Sequence, residues 1–374
     1  MSVTVQQLRA FALSRSLDCG SDLASVIRSL GFVQADPIRA PARAQDLILM
    51  QRLPGYRAGD LERHYPSLDI EEDMLQNYGF VPRDVQVLVH PREIGTLKIE
   101  SAAPGLSARV LDFVRERGAV HPRDLDEHFG RVQVGNYWGG TSNAATRVLD
   151  GLHYRGELRV VRRDKGVRVY EAAHHLHALR ERPLPREEQA RGLLGLLLRQ
   201  LAPVSTTSLG YVVSLLGYGA PHLKTELRAA LKGLEASRAT VDGVTYLWPV
   251  GELPDGASSR RVRLLAPFDP LVWDRRRFAH LHGWSYKFEA YVPAPKRVLG
   301  YYALPLLWED QAIGWANLRV VKPGKGPAEL RHDVGFVAGQ PKSKAFQRAL
   351  NSELDRYRAF LGLDDEGSLS AAPA

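Results

Sequence analysis

From Pro104 to Tyr170 the chain sets out three short amphipathic segments followed by a pair of β runs, and that order restricts the fold more than any other stretch. Leu106, Val110 and Val114 form one stripe at helical spacing, which Gly118 stops. His121-Pro122-Arg123-Asp124-Leu125 opens a second helix that ends near Gly130. Thr141 or Ser142 can cap a third, with Ala145, Val148, Leu149 and Leu152 facing inward and Asn143, Thr146 and Arg147 outward. Gly156 then turns the chain into GELRVVRRDKGVRVYE, two strands around Asp164-Lys165-Gly166. Helix, helix, helix, hairpin is the order of a winged helix.

The same order is visible twice more, as a repeat of pattern and not of identity. Val5, Leu8, Ala12 and Leu13 have helical spacing, and Gly20 ends that element. Ser21 and Asp22 cap a second helix whose inward residues are Leu23, Val26, Ile27 and Leu30, and DLILMQRL from Asp46 reads as a buried third. Beyond Arg186, a helix through Leu193, Leu194, Leu197 and Leu198 stops at Pro203, and Ser205-Thr206-Thr207 opens another. A third helix over 222–236 leads to a hairpin at Asp242-Gly243. After the polar segment 251–260 the texture changes to short apolar runs and turns rich in aromatics, among them SYKFEAYVP and RVLGYYALPLLW. A closing helix at 343–361 carries Phe346, Leu350, Leu354, Tyr357 and Leu361.

The expected fold class is therefore mainly α with β, tandem winged-helix (helix-turn-helix) modules with a β-rich, barrel-like terminal domain. The expected divisions are 1–100, 101–182, 183–252 and 260–362, with a disordered tail over 363–374.

A length of 374 residues fits two to four such domains. No run of 18 apolar residues is present, and MSVTVQQLRAF lacks a basic-then-apolar signal, so the expected location is cytoplasmic. Cys19 is the only cysteine, which excludes an intrachain disulfide and a cysteine-based zinc site. Fifty lysines and arginines against 42 acids leave a net charge of +8, compatible with a nucleic-acid partner. The hairpin alone carries Arg159, Arg162, Arg163, Lys165 and Arg168, enough to grip a phosphate backbone. A solvated edge charged against aggregation is the alternative for that hairpin.

Chemistry is best sought at Gln34-Ala35-Asp36-Pro37. Pro37 biases Asp36 toward extended backbone, where residues two apart point to the same side. Gln34 and Asp36 can then face one small volume, with Arg39 and Arg43 close behind. A carboxylate, a carboxamide and nearby cations suit chemistry on a ligand held by its phosphates. On these residues alone, Asp36 as a cap after a helix is the competing reading.

Taken with its flanks, the chain resembles the YcaQ/AlkZ family of winged-helix DNA glycosylases over nearly its full length. The markers are Gln34-Ala35-Asp36 followed by Arg43, YWGGTSNAATRVLDGLHYRGELRVVRR, LLAPFDPLVWDRRRF and, most specific, WSYKFEAYVPAPKRVLGYYALPLL. The resemblance implies a base-excising repair enzyme whose catalytic pair is Gln34 and Asp36, similar to the Gln-x-Asp branch linked to alkylated purines and interstrand crosslinks. It implies hydrolysis of an N-glycosidic bond to leave an abasic site, with no cofactor and no metal. The partner would be double-stranded DNA carrying the lesion, met by a monomer away from any membrane. A carboxylate can stabilise the positive charge that develops on the sugar or activate water, and an amide can donate and accept at once.

Residues expected to touch DNA are Arg39, Arg43, Arg52, Asn143, Arg147, Arg159, Arg162, Arg163, Lys165, Lys296 and Arg297. The chain departs from the family pattern at three places. Gln45 and Gln76 stand where a histidine is common, and Trp315-Ala316-Asn317 replaces a charged run. Glu72 is either a polar group near the site or a solvated loop residue, and His174, His175 and His177 read as surface. A non-enzymatic winged-helix regulator is the rival class, distinguished by binding one operator without base release.

Overall fold

The computed structural model describes residues 3–364 except 94, 96, 97, 102, 132, 136–140, 253, 255, 257–259 and 325. The expected tail from 365 onward, part of the 251–260 segment and Tyr137-Trp138-Gly139-Gly140 of the quoted run lie outside the described residues. The chain mixes helices with several small antiparallel sheets. It forms two compact units, one of residues 1–61, 195–212 and 233 onward, the other of 62–194 and 213–232. The segment 183–252 is divided between them.

In the first unit, the helix Val5–Leu17 begins with a capping box. Gln7 N–H donates to Thr4 Oγ1 at 3.2 Å, and Thr4 N–H donates to Gln7 Oε1 at 2.9 Å. Its buried Leu8 and Phe11 pack with Ala202, Tyr246, Trp248 and Leu281, while Ala12 and Leu17 join a second cluster around Phe278, Tyr286 and Leu307. The helix Leu23–Leu30 is capped by Asp22 as expected and ends at Gly31, whose φ of 66° lies in the left-handed region. A Cβ there would also come within 2.1 Å of Leu196 Cδ1, so only glycine lets the chain leave this helix against its neighbour. The helix Ala44–Met50 is buried at every position: the run Leu47 to Met50 is apolar, and the two polar residues, Gln45 and Asp46, find partners inside.

The C-terminal half of this unit holds a four-stranded antiparallel sheet, Val262–Leu264, Leu304–Trp308, Gln311–Val321 and Glu329–Phe336, paired in that order. Ala312, Ala316 and Leu318 are buried at even spacing along the third strand, the period-two signature of a half-covered sheet. The helix Lys344–Phe360, capped by Ser343, buries Phe346, Leu350, Leu354 and Tyr357, the stripe expected from sequence.

One expectation fails here: SYKFEAYVP, whose composition is that of a strand, is irregular backbone. DRRRFAHLH, between the first two strands of the sheet, is a helix, because Asp274 Oδ1 accepts the N–H groups of Arg276 and Arg277 at 3.2 and 3.1 Å while Phe278 and Leu281 sit on one buried face.

The second unit follows the expected order of elements. Helices Leu106–Arg117, Pro122–Phe129 and Ala144–Tyr154 precede the hairpin Leu158–Asp164/Val167–Ala172. Val110, Val114, Leu125, Val148, Leu149, Leu152 and Val160 share one core. Lys165 and Gly166 both have positive φ, 50° and 84°, the paired requirement of a tight type I′ connection. A further hairpin, Ile70–Met74 with Tyr78–Pro82, belongs to the same unit.

Candidate catalytic site

Asp36 follows the short strand Val33–Gln34 and is held by its own backbone neighbourhood. Its Oδ1 accepts the Ile38 N–H at 2.9 Å, an Asx turn that Pro37 favours by fixing φ. Its N–H donates to Gln45 Oε1 at 3.4 Å. Upstream, the Phe32 carbonyl accepts from Gln200 Nε2 at 3.1 Å. The tripeptide Gln34-Ala35-Asp36 thus lies between the helices Leu23–Leu30 and Ala44–Met50, bonded to Gln45 of the second, and the residue two before it is bonded to Gln200. Glutamine at 45, a departure from the family pattern, does the tying.

Gln34 is 5% exposed and its Oε1 has no hydrogen-bond partner among the described residues. An amide carbonyl in that state exerts a pull on any donor that enters. Burial raises the Asp36 carboxyl above the ordinary carboxylate range, opposed by the Ile38 N–H. A carboxylate with a raised pKa is a stronger base than one in water.

Sequence reasoning passed over Tyr302, which precedes the strand Leu304–Trp308. Its side chain is buried, its hydroxyl has no hydrogen-bond partner among the described residues, and burial first and the Asp36 charge second push its pKa well up. Its ring meets Phe288 edge-on with centroids 5.3 Å apart, and Phe288 meets Tyr291 at 6.0 Å. In the sequence Tyr302 stands out only by its place in the run most specific to the family.

The residues expected to bind DNA fall into different situations. Arg39 and Lys296 are exposed. Arg43 is half-buried before the helix Ala44–Met50, and its charge acts on Asp46. Arg297 donates to the Val292 carbonyl at 2.7 Å and lies over the Tyr301 ring at 4.9 Å. Arg52 is a correction. Its guanidinium is fully buried, donates to Asp269 at 2.7 and 3.0 Å, and spends its other donors on Ser16 and the Ile48 carbonyl. No donor remains for a phosphate.

The second unit requires further corrections. Arg159 is buried, with its Nε 2.9 Å from Glu71 and its Nη1 2.6 Å from Glu171. Arg163 grips Glu72 through two nitrogens at 2.7 and 2.5 Å. Arg168 lies over the Tyr78 ring at 4.2 Å and pairs with Asp150 at 3.1 Å. Glu72, considered as a solvated loop residue, is a buried strand residue at 1% exposure. These arginines are consumed inside the protein because Glu71, Glu72 and Asp73 are buried on one strand and each needs a cation. Arg162 is exposed and paired with Asp164, and Lys165 is exposed at the hairpin tip.

Asn143, expected on a DNA-facing surface, is instead the cap of the helix Ala144–Tyr154. It accepts the Ala145 N–H at 2.9 Å and donates to Asp126. Arg147 is half-buried on that helix. His175 bonds Gln86 Oε1 at 2.7 Å, and burial lowers its pKa to about 4. No group of metal-ligating side chains occurs among the described residues. No helix there is long and apolar enough to cross a membrane.

The family model for DNA glycosylase AlkZ-like proteins matches residues 27–360, a span that includes Gln34, Asp36, Gln45 and Tyr302. Among solved structures, the Streptomyces sahachiroi DNA glycosylase AlkZ is similar to this chain with a TM-score of 0.60 at 14% identity. The match covers 97% of this chain and 98% of that one, which shows a shared fold. The chain belongs to the AlkZ-like DNA glycosylase family.

Proposed function

We propose that this DNA glycosylase hydrolyses the N-glycosidic bond of purines alkylated at a ring nitrogen, N7-linked interstrand crosslinks included. Asp36 acts as general base and electrostatic partner of the sugar, and Gln34 orients water. The observation that carries this is the pairing of a buried carboxylate of raised pKa with a buried amide carbonyl, unsatisfied among the described residues, two residues away. Alkylation makes the purine cationic and a good leaving group, so a single acid suffices. The groups engaging Asp36 carry no amine, which favours a monofunctional, hydrolytic reaction ending at an abasic site. Developing positive charge at C1′ would in turn pull the Asp36 carboxyl back toward ionisation, strengthening it when it is needed.

Of the residues expected to touch DNA, Arg39, Arg162, Lys165 and Lys296 are exposed, as meeting phosphates requires. Duplex DNA carrying the lesion is the partner this reading requires, and a monomer is sufficient for it.

The test is single-turnover incubation of duplexes bearing an N7-alkylguanine or an N7-linked crosslink, followed by alkaline scission. Asp36→Asn and Gln34→Ala should each lose about 10²- to 10⁴-fold in rate, the usual worth of a positioned acid–base group. Duplex binding should change little. An Asp36→Asn protein that cuts as fast as its parent removes Asp36 from the chemistry. Absence of lesion-dependent cleavage, together with tight binding to one undamaged sequence, would leave a regulator as the better account.

A further inference from the structure

We infer that the loop from Tyr291 to Tyr301 is a wedge that enters the DNA base stack, with Tyr291 and Val298 as the inserting side chains and Lys296 and Arg297 on the adjoining phosphates. The inference needs DNA as the partner, which family membership supplies, and holds whichever lesion is excised.

Tyr291 and Val298 are the two most exposed large apolar side chains among the described residues, at 82% and 80%. Both sit on one loop of the first unit, and Tyr301 of the same loop is also exposed. Apolar side chains scattered singly over a surface need no explanation, but two such groups on one short loop do.

The loop is laced from within. Arg297 Nε donates to the Val292 carbonyl at 2.7 Å, and the Val292 N–H donates to the Glu289 carbonyl at 3.0 Å. Glu289, itself buried, accepts the N–H groups of Val298, Leu299 and Gly300 at 2.8, 2.8 and 3.2 Å with a single carboxylate oxygen. Pro293 and Pro295 fix two further φ angles. The Tyr291 ring meets Phe288 edge-on with centroids 6.0 Å apart, and Phe288 is anchored against Tyr302 and Phe268 at 5.3 and 5.1 Å. Tyr291 and Val298 are thus presented on fixed backbone, so covering them costs little further ordering.

Charge selects what covers them. From Trp284 to Trp308 the only acid is Glu289, and its carboxylate is spent on the loop's own N–H groups. Lys287 and Lys296 are exposed. Arg297 lies over the Tyr301 ring at 4.9 Å and uses only its Nε among the described residues, which leaves both Nη groups for a phosphate. Apolar knobs flanked by cations, with no exposed acid in the segment, match a polyanion whose interior is a stack of apolar faces. Side chains of this kind enter base steps and stack on bases, while the cations hold the backbone on either side.

Tyr291→Ala/Val298→Ala removes side chain from the surface and none from the core. Binding is measured to two otherwise identical undamaged duplexes, one intact and one with a tetrahydrofuran abasic analogue at its centre. The gap admits a wedge without unstacking, so the parent should bind the gapped duplex about tenfold more tightly. In the double variant that preference should vanish, with the intact-duplex Kd within about threefold of the parent's. Lys296→Ala should weaken both duplexes alike and lower the slope of log Kd against log salt by about one. Equal binding of the two duplexes by the parent, or a preference that survives in the double variant, overturns the wedge. So does capture of anionic phospholipid vesicles that the double variant abolishes while its duplex binding is unaltered, which would assign the loop to a membrane surface. Neither duplex carries an excisable base, so a parent that prefers the gap yet releases no alkylpurine keeps the wedge and loses only the proposed reaction.

Discussion

Asp269→Ala tests the reassignment of Arg52 from DNA contact to internal tie. The Arg52 guanidinium uses every N–H it has: Nε to the Ser16 carbonyl at 2.8 Å, Nη1 to Ile48 O at 2.8 Å and Asp269 Oδ2 at 2.7 Å, Nη2 to Ser16 Oγ at 2.7 Å and Asp269 Oδ1 at 3.0 Å. Both side chains are 0% exposed. Deleting the carboxylate strips two charge-assisted bonds, each worth about 1.5–3 kcal/mol. It also leaves a buried cation facing a cavity, and breaking such a pair costs about 3–5 kcal/mol, so the two estimates agree. Urea unfolding with an unchanged slope is the assay, because a shift of midpoint then reads stability alone. Asp269→Asn, which retains one acceptor oxygen, should lose less. If Asp269→Ala costs under about 1 kcal/mol, the value of an exposed pair, then Arg52 is solvated and the internal role assigned to it is wrong.

Two further expectations concern the second unit. Glu72 is held below its ordinary value by Arg163 and Arg168 against the cost of burial. Its ionised form therefore contributes stability that is present above the unfolded value of roughly 4.3 and is lost as pH falls through the folded one. Glu72→Gln should be clearly less stable than the parent at pH 7, and the gap should close in urea titrations taken below about pH 4; a gap of constant size would mean that the carboxylate charge is not what Arg163 needs. Arg162→Ala combined with Lys165→Ala should lower the slope of log Kd against log salt for duplex binding by about one to two, with folding unaffected. An unchanged slope would place the hairpin tip away from the phosphates.

Much of the fold was legible because the signals were local. The stops at Gly31 and Gly118, the caps at Asp22 and Ser343, and the stripes Val110–Val114 and Phe346–Leu350–Leu354–Tyr357 each depend on residues within one or two turns of each other. The misreadings had mixed causes, one long-range and one a local shift of register. SYKFEAYVP has the composition of a strand, yet it is shaped by the Glu289 carboxylate reaching residues 298–300 and by Tyr286 reaching Ala303. Asn143 looked like an outward face of a helix because the cap was placed one or two residues early. The Asp36 pair was legible as a tripeptide, but its surroundings were not. Gln45 lies nine residues on, and Tyr302 lies far along the chain, with no spacing rule to connect either to it.

The charge total illustrates the same difficulty in a more general form. A net +8 is compatible with a nucleic-acid partner, and five bases on one hairpin could grip a phosphate backbone or merely charge a solvated edge. The structure spends most of that hairpin inward. Glu71 takes Arg159 and Arg83, Glu72 takes Arg163, and Asp73 takes Arg92 at 2.8 Å along with His90 at 2.9 Å. Three consecutive carboxylates, all buried, could not be left ionised without these partners. An acidic tripeptide in a strand of otherwise apolar neighbours was thus the signal that nearby arginines would be consumed, and it was visible as Glu71-Glu72-Asp73 between Ile70 and Met74. The first unit repeats the rule with Arg52 and Asp269. Arginine serves both uses because its fork satisfies a carboxylate and a phosphate in the same geometry. What separates the two is whether an acid is buried within reach, so counting bases without locating buried acids overstates the surface available to DNA.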